Sequence, residues 1–316
     1  MKVVALAGGV GGAKLAYGLA RHLSPDQLSL IVNTGDDINL FGLKICPDLD
    51  TVCYTLAELA NEQTGWGLKD ETWQAITSLE RLGGPAWFHL GDRDLGTHLE
   101  RTRRLSIGDS LSDVTRQFCN AWGIRHPVFS MSDQVVATRV QTLEKGELTF
   151  QSYFVEMQCL PTVTGFRFEG AEASQPAPGV LEVIQQSDVV IFCPSNPWVS
   201  IGPILAIPGI RPAIAAKPVV ALSPIIGGKA VKGPVAKMYA ELGIEPSATA
   251  VARHYQPILT GFVLDQVDHA LANEIAGWGI MTKVTNTLMT SLADRVRLAG
   301  EILAFCAQIA ERKRNS

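Results

Sequence analysis

The chain has 316 residues, 47% of them hydrophobic and 18% charged, with a formal net charge of -4. That composition excludes intrinsic disorder and supplies the core of one large domain with an insertion, or of two domains. The negative charge argues against coating nucleic acid or anionic lipid, which needs a basic field, but leaves room for a small anionic ligand held by local loops.

The cysteines (Cys46, Cys53, Cys119, Cys159, Cys193, Cys306) form no CxxC pair. Their spacing suits neither a zinc site nor a small disulfide scaffold, and those in apolar runs read as buried free thiols. The first apolar run, Val3 to Gly9, breaks into glycines with no basic region before it, so no signal peptide is expected. No run of about 18 apolar residues occurs. A cytoplasmic protein without a membrane span is the expectation.

In chain order, residues 2–7 read as a buried strand, the glycines at 8–12 as a loop, Ala13 to His22 as a helix and Leu28 to Asn33 as a second strand. Short apolar strands of this kind point to a doubly wound, mostly parallel sheet with helices on its faces. From 51 to 122 the pattern is helical, over Thr51–Asn61, Glu71–Leu82 and Leu111–Trp122. From 126 to 169 it predicts short strands, including 135–140 and 148–154. Residues 51–179 therefore read as an inserted, mainly helical subdomain or lid, and 1–50 with 180–316 as the core. The α/β pattern returns with helix 180–186, strand 188–193, strand 218–222, helix 234–242, and strands 261–267 and 279–284. A terminal helix runs from Ser291 to Arg312 and ends in a basic Arg312-Lys313-Arg314 tail that reads as a solvated helix end.

Four segments could carry chemistry. Gly8-Gly9-Val10-Gly11-Gly12-Ala13-Lys14 joins a strand to a helix, where backbone N–H groups and the helix N-terminus favour an anion. It lacks the Gly-Lys-Ser/Thr of a Walker loop and the GxGxxG order of dinucleotide folds; close helix-sheet packing alone would also explain it. Asp36, Asp37, Asp48 and Asp50 fall within fifteen residues. Crowded carboxylates repel unless a cation holds them, and Mg²⁺ takes a few such oxygens. Asp48 and Asp50 share a face if the backbone there is extended, although helix capping accounts for some of the four. Trp87-Phe88-His89 precedes Asp92, Arg93 and Asp94, and Asp94, His98 and Arg101 recur at helical spacing. The aromatic pair could wall a flat ring, or the segment could be a solvated helix face. Pro194-Ser195-Asn196-Pro197, with Ser200 and Gly202, follows a buried strand and could recognise an anion or a base. Ser223-Pro224 and Lys232-Gly233-Pro234 repeat that theme. In a doubly wound sheet such loops share one crevice. No nucleophile elbow is present.

Taken in order from residue 8 to 290, these blocks, with Cys46-Pro47-Asp48-Leu49-Asp50-Thr51, Leu90-Gly91-Asp92-Arg93-Asp94, Met131-Ser132-Asp133 and Asn286-Thr287-Leu288-Met289-Thr290, resemble the 2-phospho-L-lactate transferases of coenzyme F420 biosynthesis (CofD in archaea, FbiA in actinobacteria). The resemblance implies a Rossmann-like core and a guanosine diphosphate-linked donor carrying a phospholactyl or phosphoenolpyruvyl group. It implies the ribityl hydroxyl of the deazaflavin Fo as acceptor, GMP as the released product, and a homodimer. It implies Mg²⁺ on Asp36 and Asp50, both also catalytic, and a deazaflavin pocket at Asp50 and His89 with Trp87, Asp92 and Arg93 nearby. Gly8, Gly9, Gly11, Gly12, Lys14, Ser195, Asn196, Ser200 and Gly202 are then the donor-binding set. A sugar-nucleotide-binding regulator of the gluconeogenesis-factor type is the alternative; a nicotinamide dehydrogenase fits the glycine order poorly.

Overall fold

The computed structural model describes residues 1–314; the side chains of 313 and 314, which end the basic tail, lie outside the described residues. Seven strands build one sheet: β1 (Val3–Ala7), β2 (Leu28–Val32), β3 (Val128–Ser130), β4 (Val189–Phe192), β5 (Val219–Leu222), β6 (Gly261–Asp265) and β7 (Met281–Thr285). Every pairing among them is parallel, in the order β7-β6-β5-β4-β1-β2-β3. This is the Rossmann order with one added edge strand, and the direction of winding reverses between β1 and β4. β3 comes from within the 51–179 segment and adds the other edge.

Each inner strand is buried on both faces, as a parallel sheet between helical layers must be. Alternate residues supply the two cores. Val3, Ala5 and Ala7 face Leu15, Leu19, Leu298 and Ile302, whereas Val4 and Leu6 face Ile184, Ile210 and Ile214. Helix α1 (Gly9–His22) contains four glycines. Each costs about 0.8–1 kcal/mol relative to alanine, so propensity alone would not hold this helix. Burial of Leu15, Tyr17 and Leu19 offsets the deficit at roughly 1.5–3 kcal/mol per large apolar side chain.

Helix α2 (Pro47–Leu56) starts four residues earlier than the pattern predicts, with proline in its first turn. This corrects the expectation for Asp48 and Asp50. They lie in a helical first turn, where residues two apart point roughly 200° apart, and so they face different neighbours. The insertion continues with α3 (Gln74–Arg81), α4 (Asp92–Ser106) and α5 (Leu111–Ala121), followed by a three-stranded antiparallel sheet of Ala137–Thr142, Gly146–Thr149 and Val163–Glu169. The strand predicted over 148–154 stops at Thr149, and Ser152–Glu156 forms a helical turn instead. Only a helical turn brings Phe150 and Phe154 into a stack, with ring centroids 5.3 Å apart and planes at 6°. Among the described residues all six cysteines are free, five of them buried and Cys159 partly so. No helix there is long and apolar enough to cross a membrane.

Candidate functional site

A cavity of about 460 Å³ opens at the carboxyl ends of β1, β2, β4 and β5, the crevice where the winding reverses. The glycine loop forms its floor. Gly9 has a φ of +64°, a left-handed conformation that favours glycine. Gly11 is needed for a different reason: a Cβ there would sit 2.5 Å from the Pro194 carbonyl oxygen. The Ser195 hydroxyl donates to the Gly8 carbonyl at 2.8 Å and accepts from its N–H at 3.2 Å. The Asn196 side chain caps the turn Pro197–Ile201 by accepting from Trp198 N at 3.0 Å. The Ser-Asn-Pro loop thus welds the ends of β1 and β4 together and leaves Ser195, Asn196 and Ser200 lining the cavity. Gly202 stands behind that wall against Phe168.

Asp36, Asp48, Asp50 and Asp94 all line this cavity and all are buried. Asn33, at the end of β2 and itself fully buried, organises two of them. Its amide nitrogen lies 2.8 Å from Asp48 Oδ2 and 3.3 Å from Asp36 Oδ1. Asp48 Oδ1 accepts from Gly9 N at 2.6 Å, so this carboxylate meets the glycine loop. Gln151, from the insertion, donates to the Asp36 backbone oxygen at 3.1 Å. Burial is the main force raising both acids: Asp48 stands at about 6, and Asp36, with Asp48 and Asp37 beside it, well above the ordinary carboxylate range. Asp37 is also raised by burial, against the opposing pull of Lys44 at 2.8 Å, and does not line the cavity.

Asp50 lies in a different setting. Arg101 grips it with both guanidinium nitrogens, one bond measuring 3.0 Å. Burial opposes the Arg101 charge, but Asp50 prevails and holds its pKa above the ordinary value. Arg101 Nη1 also lies 3.2 Å from His98 Nδ1. A guanidinium can only donate, so Nδ1 accepts and the ring proton sits on Nε2, 3.3 Å from Asp94 Oδ2. Tyr54 donates to Asp94 Oδ1 at 2.6 Å. Burial would raise Asp94, yet His98 and Tyr54 together hold it below its usual value. The face Asp94-His98-Arg101 is therefore a buried charge network that fixes Asp50, not a solvated helix face. Its i, i+4, i+7 spacing was visible in the sequence; its burial was not.

The remaining predicted positions divide. His89 lines the cavity with Phe88, Phe150 and Phe154, and its ring centroid lies 6.0 Å from that of Trp73. Trp87 packs edge-on against Phe88 and does not reach the cavity. Asp92 caps α3 by accepting from Gln74 N at 3.0 Å and Ala75 N at 2.9 Å. Arg93 donates to the Lys69 carbonyl at 2.7 Å. Lys14 points away from the cavity and donates to the Met289 carbonyl at 2.8 Å, and Gly12 packs on Ser195. Sequence reasoning gave no signal for Gln151, and it left Asn33 and Asp48 behind Asp36 and Asp50. Among the described residues no group of three or more His, Cys, Asp or Glu side chains is arranged to hold a metal.

Fold and cavity define an α/β protein of Rossmann order with an acidic ligand crevice at its switch point. Over residues 3–291 the chain matches the family described as 2-phospho-L-lactate transferase CofD, and it belongs to that family. It is 45% identical to a phosphoenolpyruvate transferase of Kitasatospora aureofaciens, across 98% of this chain and 99% of the relative. It is 42% identical to a phosphoenolpyruvate transferase of Thermobifida fusca, across 99% and 100%. A crystal structure of a UPF0052 family protein from Bacillus halodurans superposes with a TM-score of 0.63, covering 96% of this chain and 98% of that one at 16% identity, and so shares the fold.

Proposed function

We propose that this chain transfers a phosphoenolpyruvyl or phospholactyl group from a guanosine diphosphate-linked donor to the ribityl hydroxyl of the deazaflavin Fo in coenzyme F420 synthesis, releasing GMP. One observation carries the reading: a single cavity joins the glycine loop, the Asp36-Asp48 pair, the Arg101-held Asp50 and an aromatic rim. Phosphoryl transfer asks the protein mainly for positioning and charge stabilisation, and that set supplies both. The first-turn N–H groups of α1 have no partner within the helix and suit diphosphate oxygens, except that of Gly9, which Asp48 takes. Phe88, His89, Phe150 and Phe154 offer flat surfaces to a tricyclic ring. Asp50, gripped by Arg101, is placed to accept a hydrogen bond from the attacking hydroxyl and orient it.

The family resemblance implies Mg²⁺, and part of the donor set fits it. Asp36 and Asp48 are buried around one amide and lack a lysine or arginine partner among the described residues. Two carboxylates with water and substrate phosphate satisfy Mg²⁺. Asp50 already has its cation in Arg101, which makes Asp36 and Asp48 the better pair. A bound Mg²⁺ would neutralise charge on the diphosphate.

The test is incubation with Fo and, in turn, the enolpyruvyl, lactyl and glyceryl donors, with mass analysis of the products. A phosphodiester of Fo and an equivalent of GMP are expected. Fo binding without turnover of any donor would favour the regulator. Asp50→Asn is expected to lower turnover roughly a hundredfold or more, the loss of one preorganised charged contact; near-normal turnover would remove Asp50 from this role.

A further inference from the structure

The main cavity has an unbalanced charge inventory. Its walls carry four aspartates, and among the described residues the only lysine or arginine lining it is Lys232. A diphosphate entering a carboxylate-rich cleft needs cationic partners. The lysine of the glycine loop does not serve: Lys14 is bound to the Met289 carbonyl and lines a separate cavity with Arg295.

Lys232 stands at the exposed rim, on the loop that follows the short hairpin Ile225–Ile226 and Lys229–Ala230. Its Nζ and the Val10 side chain of the glycine loop both abut Gly65: a Cβ there would sit 2.8 Å from Lys232 Nζ and 2.9 Å from Val10 Cγ1. The partner of the ammonium is the Thr64 carbonyl, on the facing loop whose Trp66 and Gly67 also line the cavity. No carboxylate lies within ion-pair distance of Lys232 among the described residues. A cation held by one carbonyl oxygen is easily recruited by an anion, because a phosphate oxygen brings a full opposite charge where the carbonyl offers only a dipole.

The geometry points to Lys232 as the residue that grips the donor's diphosphate, exchanging the Thr64 carbonyl for a phosphate oxygen when the nucleotide binds. This inference rests on the donor chemistry proposed above and goes beyond it by naming the cation and the contact it gives up. Lys232 is a binding residue rather than a proton carrier, so a guanidinium retains part of its action.

The experiment compares wild type with Lys232→Ala and Lys232→Arg, using calorimetric binding of GDP and of guanosine, and donor and Fo kinetics. Lys232→Ala is expected to weaken GDP roughly ten- to hundredfold, the loss of one charged hydrogen bond. Guanosine affinity and the KM for Fo stay unchanged, the KM for donor rises in step with the GDP loss, and Lys232→Arg recovers part of it. Unchanged GDP affinity in Lys232→Ala, beside a wild type that binds GDP and turns over donor, overturns the inference. So does equal loss of GDP and guanosine, which marks a loop that has merely shifted. A wild type that neither binds GDP nor uses any guanylated donor overturns the functional reading itself.

Discussion

At the scale of single residues, the crowding of Asp36 and Asp48 sets function against stability. Burial lifts Asp48 from 3.8 to about 6 and Asp36 well above its ordinary range. A carboxyl whose folded pKa is raised holds its proton more tightly folded than unfolded. The stability it contributes is complete below pH 3.8 and is lost as pH rises through about 6. One pKa unit is about 1.4 kcal/mol, so raising Asp48 from 3.8 to about 6 costs the metal-free protein on the order of 3 kcal/mol at neutral pH, and Asp36 adds to that. A divalent cation there should remove it. In thermal melts, Mg²⁺ is expected to stabilise wild type at pH 7.5, to do little at pH 4.5 where the acids hold protons, and to do little at either pH in Asp36→Asn. An equal Mg²⁺ shift in wild type and Asp36→Asn would place the ion elsewhere. Asp50 has a different partner, the Arg101 guanidinium. A buried guanidinium left without its carboxylate is costly, typically about 3–5 kcal/mol, which ties α4 to α2 wherever Asp50 is needed.

At the scale of elements, glycines fall into two kinds that side-chain identity does not distinguish. Gly11 faces a backbone carbonyl that cannot swing aside, whereas Gly96, in the middle of α4, has nothing within 4 Å of the place a Cβ would take. Gly11→Ala is expected to cost roughly 1–3 kcal/mol through overpacking and to impair donor binding. Gly96→Ala is expected to gain about 0.5–1 kcal/mol from helix propensity; urea denaturation of the pair checks both signs. Much of this element layer was legible. The glycine loop between two apolar runs announced strand, turn and helix, and Val180–Gln186 forms as read. What escaped had a physical cause. Val128–Ser130 is too short to show a period, and its place beside β2 is fixed by long-range pairing. The turn Ser152–Glu156 sits in a β-like stretch, and the contacts of Tyr153 and Gln151 with distant parts of the chain favour helix. Proline at the first position, rather than the later polar residues, fixes the start of α2, and with it the separate roles of Asp48 and Asp50.

At the scale of the whole molecule, Gln151 supplies one of the bonds that join the insertion to the core at the site. Its side chain is buried and donates to the backbone oxygen and carboxylate of Asp36, at 3.1 and 3.3 Å. The same turn presents Phe150 and Phe154 to the cavity, so one side chain couples the seating of the aromatic rim to the position of an acid on the core. Leaving buried acceptors without their donor costs about 1–3 kcal/mol, enough to loosen a short segment without unfolding a sheet buried on both faces. Gln151→Ala is therefore expected to speed amide exchange across residues 146–156 while leaving β1 and β4 protected. Turnover should follow the same partition: the KM for Fo rises roughly tenfold, since the ring surface is no longer preorganised, and GDP affinity, set by loops of the core, changes little. Hydrogen exchange and steady-state kinetics on one variant read both halves. A loss of GDP affinity equal to the loss of Fo affinity would show that the insertion and core respond as one unit rather than through this bond.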